Sequence, residues 1–169
     1  MDRLYTPWRY DYIKGESGEK TGHGTACVFC TIRDRRDSDD ETFILRRARH
    51  NFVVLNIYPY TSGHLMVVPY EHTAELSDLP KETSDELMDL AKRAQAILRE
   101  VYRPHGFNLG INLGRAAGAG VPGHFHVHLL PRWNGDTNFM TSVAEVRVLP
   151  ESLDATWTKL RSAWPAAGG

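Results

Sequence analysis

The stretch GHFHVHLLPR, residues 123–132, places three of the chain's eight histidines at every second position. Side chains alternate between the two faces of a β-strand, so a strand here carries His124, His126 and His128 on one face, about 6.6–7 Å apart. The apolar residues between them point to the other face. The pattern therefore predicts a strand with one face in the core and one face available for chemistry.

Three interpretations of this histidine row are open from the residues alone. The first is a polar surface that happens to contain histidine. The second is a catalytic metal site with an open water position, although the chain after His128 has no acidic residue before Asp136 to complete it. The third is a nucleophilic imidazole, which is neutral near pH 7 and can attack phosphorus to form a phosphoramidate.

The composition indicates one globular domain. The chain has 169 residues, of which 41% are apolar and 24% charged, which suffices for a single core. A formal net charge of -1 argues against a protein that mainly binds duplex nucleic acid. No apolar run resembles a signal peptide or a membrane span, and we expect a cytoplasmic protein.

Periodicity and turn residues predict an α+β domain with an antiparallel sheet. Five segments have strand character: 42–47, 51–57, 64–69, 107–113 and 124–130. The turn YPYTSG between the second and third predicts that these two strands pair as a hairpin. Residues 1–26 are interpreted as an N-terminal arm followed by a flexible connector.

Two segments predict helices. Apolar residues at steps of three and four predict a long helix that ends near Tyr102. It begins at Thr83 if that residue forms a capping box with Glu86, or earlier if Pro80 occupies the first turn. The segment ESLDATWTKLRSAW, residues 151–164, predicts a C-terminal helix.

The two cysteines, Cys27 and Cys30, form a CVFC motif. They are too few and too close together for a secreted disulfide framework. The motif alone is compatible with a metal knuckle, a redox pair or two buried thiols.

Several segments together resemble the histidine triad superfamily. HFHVHLL matches its alternating signature, VLNIYPYTSGHLMVVP (54–69) resembles its upstream strand-turn-strand segment, and PRWNGD (131–136) resembles the continuation in its fragile histidine triad (Fhit) branch. With TPWRYDYI and RPHGFNLGINLG, the chain is most similar to bacterial diadenosine tetraphosphate phosphorylases and hydrolases. The resemblance implies one domain over 1–169, with about five antiparallel strands, a long central helix and a C-terminal helix, and a sheet that continues across a homodimer.

The resemblance also implies a two-step nucleotidyl transfer through a covalent nucleotidyl-histidine. His126 matches the family's nucleophile, and His128 is expected to assist the leaving group. His64 is expected to line the same pocket, and Asn56 matches the asparagine that contacts the ribose.

Contacts to the phosphates are expected around the glycine-rich loop 114–123. Asn112 and backbone amides of the loop, including those of Gly118 and Gly120, are predicted to stabilise charge on the α-phosphate. The family usually carries glutamine or serine at the position of Gly120, so this side-chain donor is missing. Trp133 is interpreted as a nucleotide or dimer contact, with core packing as the alternative.

In zinc-containing bacterial members of the superfamily, the CxxC cysteines share a metal with two histidines. These match His72 and His124, and the resemblance therefore implies structural zinc held by Cys27, Cys30, His72 and His124, with no open coordination position. Magnesium bound to the substrate phosphates is a further expectation, although no carboxylate cluster marks a protein site for it.

The leading functional hypothesis is cleavage of the α-phosphate linkage in diadenosine tri- or tetraphosphate, with water or phosphate as acceptor. The alternatives are a nucleoside phosphoramidase and, in another class, a nucleotide-binding regulator with incidental turnover, which Gly120 keeps open. A uridylyltransferase is disfavoured because that branch replaces the third histidine with glutamine, whereas His128 is retained here.

Overall fold

The computed structural model describes residues 27–136 and 150–164. The arm and connector predicted at 1–26 lie outside the described residues. Five strands are formed: β1 Ile44–Arg47, β2 Asn51–Leu55, β3 Leu65–Pro69, β4 Gly106–Ile111 and β5 Val127–Arg132. They are joined by α1 Val28–Asp34, α2 Lys81–Tyr102 and α3 Leu153–Ala163, and by short 3-10 helices at Leu76–Asp78 and Arg115–Ala117.

The strands form one antiparallel sheet in the order β1-β2-β3-β5-β4. The predicted hairpin of β2 and β3 is confirmed, with Leu55 opposite Leu65 next to the turn. Strand β5 lies between β3 and β4, and its His128 is opposite Met66 on one side and Gly110 on the other. The α+β class and the five-stranded antiparallel sheet are thus as predicted.

The sheet buries apolar side chains on both faces. One face packs against α2 and α3. In the stripe predicted for the long helix Val101 is half-buried, and the other members are buried: Leu87, Leu90, Ala91, Ala94, Ile97 and Leu98. The other face carries a smaller buried cluster, which we call the α1 cluster: Phe29, Ile44, Phe52, Val54, Met66 and Val68. Within the described parts of the chain, no helix combines the length and apolar character needed to cross a membrane.

Helix α2 begins at Lys81, directly after Pro80, which is the earlier of the two predicted starts. The capping box is not formed, because Thr83 is buried inside the first turn. Glu86 instead accepts hydrogen bonds from the backbone N–H groups of Arg49 and His50, at 2.9 and 2.7 Å. Its carboxylate therefore fixes the β1–β2 turn against the helix rather than capping the helix.

A glycine brings the β2–β3 turn close to α2. Gly63 has a φ of +79°, and a Cβ atom there would lie 3.1 Å from side-chain atoms of Leu98 and Tyr102. Only glycine accommodates both the left-handed backbone and this close approach. The turn consequently delivers His64 to the start of β3, on the face opposite α2.

Candidate active site and metal centre

The histidine row spans the start of β5 and the segment before it. The strand begins at Val127, three residues later than predicted. The residues before Val127 do not pair with β3. Instead, the Phe125 N–H donates to the carbonyl of Thr73, in the loop after β3, at 2.6 Å. Phe125 and Val127 nevertheless belong to the core on the α2 side, while the rings of His124 and His126 contact Phe29 of the α1 cluster. The predicted alternation of core residues and histidines is therefore present, although His124 and His126 are themselves buried.

At one end of the row, Cys27, Cys30, His72 and His124 bring one donor atom each to within 4.8 Å of one another. The Cys27 Sγ to His124 Nδ1 and Cys30 Sγ to His72 Nδ1 distances are both 3.3 Å, and the two Nδ1 atoms lie 3.2 Å apart. A tetrahedral ion with bonds of about 2.0–2.3 Å separates its ligand atoms by about 3.3–3.8 Å. The three quoted distances are close to this separation, so the four side chains could together hold one tetrahedral metal ion.

The ring of His124 is oriented for this role by its second nitrogen. Its Nε2 donates to the Pro69 carbonyl at 2.9 Å, so the neutral ring keeps its lone pair on Nδ1, which faces the cysteines. Ligand histidines commonly have such an outer hydrogen bond, which fixes the tautomer. Burial lowers the pKa of His124, which also favours the neutral form that binds metal.

The middle histidine, His126, has the opposite tautomer. Its Nδ1 lies 2.7 Å from the His124 carbonyl oxygen, and a carbonyl only accepts, so Nδ1 carries the proton. The lone pair is therefore on Nε2. The residue is 4% exposed, and burial lowers its pKa. The ring is thus a neutral base with one defined nucleophilic atom.

The third histidine, His128, is linked to His64. The Tyr60 N–H donates to His64 Nδ1 at 3.2 Å, and His64 Nε2 lies 3.0 Å from His128 Nδ1. Because His64 Nδ1 accepts, its Nε2 carries the proton and donates to His128, so the proton of neutral His128 lies on Nε2. Burial and the neighbouring His126 lower the pKa of His128 to about 4. His128 therefore presents an N–H donor next to His126, and the two ring centroids are 4.8 Å apart.

His64 itself is 1% exposed and is among the residues that line a cavity between the β2–β3 turn and the start of α3. Asn56, the predicted ribose contact, lies at the start of the same turn, where its Oδ1 accepts from the Tyr58 N–H at 3.0 Å. Its Nδ2 is 3.4 Å from His64 Nδ1. In this structure both polar atoms of the Asn56 side chain contact the turn.

The predicted phosphate contacts lie on the segment that leads from β4 back to the row. Asn112 is half-buried just after β4, while Gly118 and Gly120 are exposed in the loop that follows. Gly118 has a φ of +87°, which favours glycine. The loop returns to the histidine face, because Val121 packs against the α1 cluster and its carbonyl accepts from the His124 N–H at 3.2 Å.

Trp133 lies just past β5, beside the end of α2. Its ring makes an edge contact with Tyr102 at a centroid distance of 6.3 Å. Asp136 fixes the turn by accepting from the Trp133 N–H at 3.0 Å and from the guanidinium of Arg132 at 2.6 and 2.7 Å. Trp133 is half-buried and belongs to neither core cluster, so its assignment as a nucleotide or dimer contact stays a prediction.

Two residues that contact the row were not identified from sequence. Phe29 lies 5.0 Å from His126 between ring centroids, and Tyr60 lies 6.3 Å from His128 and 4.7 Å from His64. The position of Phe29 inside CVFC could have indicated this contact, because a metal bound by both cysteines also fixes the residues between them. For Tyr60 the sequence offered only a weak indication, namely an aromatic residue in a turn four positions before His64.

Among the residues that the structure describes, the cysteine–histidine group is the one set of three or more metal-type ligands. His126 and His128 are not part of it, so the catalytic-metal interpretation of the row has no support here. No carboxylate joins such a group in the described chain either, so nothing in these residues supports the expected magnesium.

Comparisons with known proteins identify the family to which this fold and its histidine row are similar. The HIT domain family matches residues 38–135. An AP-4-A phosphorylase of Mycobacterium tuberculosis is 39% identical over 165 residues, which cover 97% of this chain and 85% of that protein. An adenosine 5'-monophosphoramidase of Saccharomyces cerevisiae is 34% identical over 63% of both chains. The crystal structure of a Zn-bound histidine triad family protein from Mycobacterium smegmatis superposes with a TM-score of 0.66 at 32% identity, over 82% of this chain and 92% of that one.

Proposed function

The chain belongs to the HIT domain family, and on that premise we propose that it cleaves the α-phosphate linkage of dinucleoside polyphosphates through a nucleotidyl-histidine at His126. The observation that carries the proposal is the similarity to an AP-4-A phosphorylase along nearly the whole chain. The neutral, buried His126 with its lone pair on Nε2 supports the chemistry.

In the first step, His126 Nε2 attacks the α-phosphorus, and the bond from phosphorus to the bridging oxygen breaks. The ring becomes positively charged, and the His124 carbonyl that accepts from Nδ1 stabilises this charge. His128 donates its Nε2 proton in a hydrogen bond to the leaving oxygen, on which negative charge develops. For diadenosine tetraphosphate the leaving group is ATP.

In the second step, an acceptor oxygen attacks the same phosphorus, and the phosphorus–nitrogen bond breaks. The electron pair returns to His126 Nε2. Water as acceptor gives AMP and releases one proton, whereas inorganic phosphate gives ADP. Two easier substitution reactions at phosphorus thus replace one difficult reaction.

Product analysis tests the proposal. Protein incubated with diadenosine tetraphosphate is expected to give ATP together with AMP if water is the acceptor. ATP together with ADP, and only when phosphate is present, indicates phosphorolysis. No turnover of diadenosine tri- or tetraphosphate under either condition contradicts the proposal and supports the nucleotide-binding regulator.

A nucleoside phosphoramidase is the second candidate, because the yeast adenosine 5'-monophosphoramidase is also similar. The same His126 attack applies, with an amine as the leaving group. Faster turnover of an adenosine phosphoramidate than of diadenosine tetraphosphate favours this candidate.

We further propose that the metal of the cysteine–histidine group is zinc. The donor set of two thiolates and two imidazoles is typical of structural zinc, and a similar solved protein is described as Zn-bound. With all four positions filled by protein, the ion stabilises the fold and takes no part in the reaction. The use of only two cysteines, both in this group, supports a cytoplasmic location.

The missing donor at Gly120 leads to a gain-of-function prediction. A Cβ atom at Gly120 would have no heavy atom within 4 Å, so a serine fits the loop. We expect Gly120→Ser to raise kcat/KM for diadenosine tetraphosphate by about 10-fold, because a lost oxyanion donor costs about 10²–10³-fold in other enzymes. Gly120→Ala is the matched control and should leave kcat/KM unchanged; an equal increase in both variants contradicts the role of the hydroxyl.

We propose that the protein is a homodimer that continues the sheet across β4. This strand lies at the sheet edge; its residues Leu109 and Ile111 are 50 and 41% exposed, and Leu113, just after the strand, is 41% exposed. An edge strand with an exposed apolar row is a template for pairing with another strand.

The dimer is tested by placing a charge in this row. Light scattering on a sizing column should give a mass of two chains for the wild type and of one chain for Leu109→Arg. Leu76→Arg, at a similarly exposed leucine (44%) in a 3-10 helix, is expected to stay dimeric. A monomeric wild type overturns the proposal.

A further inference from the structure

Phe29 lies between the two cysteines of the metal group in sequence, and its ring contacts both His124 and His126. Helix α1 begins after Cys27 and contains Cys30, so both ends of its first turn are held by the metal group. Phe29 is 4% exposed. Its ring centroid lies 5.3 Å from that of His124 and 5.0 Å from that of His126.

Besides the His128 ring, whose centroid lies 4.8 Å away, the His126 ring has two further neighbours. Its Nδ1 donates to the His124 carbonyl, which fixes the direction of one edge. One hydrogen bond leaves the ring free to swing about that contact, and the Phe29 ring, tilted by 50° to it, restricts this motion. Both neighbours belong to the metal group or lie between its ligands.

We infer that Phe29 is a positioning residue that, with the His124 carbonyl, holds the His126 ring in its reactive orientation. The inference rests on the proposed role of His126 as nucleophile. Phe29 forms no bond in the reaction; it acts by keeping Nε2 directed at the α-phosphorus. A displacement of about 1 Å at a reacting atom can cost about 10²-fold in rate.

Two substitutions of graded size test the inference in the metal-loaded protein. Phe29→Leu is expected to lower kcat moderately and Phe29→Ala by about 10²-fold, with KM for diadenosine tetraphosphate changed less than about threefold. The matched control is Phe52→Leu, since Phe52 belongs to the same cluster but stacks on Tyr70 at 5.5 Å. The control is expected to lose stability and to keep its kcat.

The signature of positioning is spectroscopic. Two-bond 15N–1H spectra of the histidine rings report which nitrogen carries the proton. In the wild type, His126 should show a single form with the proton on Nδ1, whereas Phe29→Ala should show a mixture of both tautomers at unchanged metal content.

An unchanged kcat in Phe29→Ala overturns the inference, as does a retained single tautomer. A rise in KM at constant kcat also overturns it, because Phe29 would then be a substrate contact. If the wild type turns over no substrate, the proposed function has failed, and the tautomer spectra still decide whether Phe29 positions His126.

Discussion

Replacing His126 by alanine is expected to lower kcat for diadenosine tetraphosphate by about 10⁴–10⁶-fold, the loss typical of removing a catalytic nucleophile. Alanine has no atom that can form the covalent intermediate, and His128 cannot substitute for it, because its Nδ1 accepts from His64 and its Nε2 carries the proton. Binding of a non-hydrolysable analogue, measured by calorimetry, should change less than about threefold, since the phosphate donors predicted in loop 114–123 remain.

The matched control is His105→Ala, at an exposed histidine in the turn before β4, which should keep its kcat. His128→Ala should be intermediate, with a loss of about 10²–10⁴-fold, as expected for a proton donor to a leaving group. Acid quenching of the wild type during turnover should trap the labelled nucleotide on a peptide that contains His126. Retained activity in His126→Ala, or label on another residue, refutes the assignment.

Much of the fold is local in origin and was therefore predictable. The apolar stripe from Leu87 to Leu98 follows directly from helical periodicity. The turn between β2 and β3 determines their pairing, because a short connection between adjacent strands forces an antiparallel hairpin. The alternation in HFHVHLL likewise separates the core residues Phe125 and Val127 from the histidines.

The parts that the sequence did not predict depend on tertiary contacts. Thr83 and Glu86 have the right spacing for a capping box. The Glu86 carboxylate instead accepts three hydrogen bonds from residues at the β1–β2 turn, two from backbone N–H groups and one from the Asn51 side chain. Burial alone would raise the pKa of Glu86, and these hydrogen bonds lower it instead. A local pattern cannot reveal a partner more than thirty residues away.

In the candidate site, too, some features were predictable from the sequence and others depend on tertiary contacts. The resemblance identified the four metal-type ligands, and the structure brings them together. The tautomers of His126 and His128 are set by the His124 carbonyl and by the Tyr60 N–H acting through His64. Backbone groups of this kind have no residue signature, so the two tautomers could not be predicted from the sequence.

Loss of the metal is expected to have the largest effect on stability. Cys30→Ser and His72→Ala each remove one of the four ligands, and we expect each to lower the free energy of unfolding by about 3–5 kcal/mol, a conservative share of the energy that structural zinc supplies to small domains. For a domain of this size, that corresponds to a drop in Tm of about 10–15 °C. Calorimetry at equal protein concentration measures the drop.

The control is His50→Ala, which removes a half-buried histidine that is not in the metal group; its Tm should stay close to that of the wild type. Metal analysis should find about one zinc per wild-type chain and much less in the two ligand variants. Because α1 is tied to the sheet through Cys27 and Cys30, the unfolding should begin there, and amide exchange in Val28–Asp34 should increase before exchange in β2 and β3. A wild type without bound metal, or ligand variants as stable as His50→Ala, would show that the four side chains are not a structural metal site.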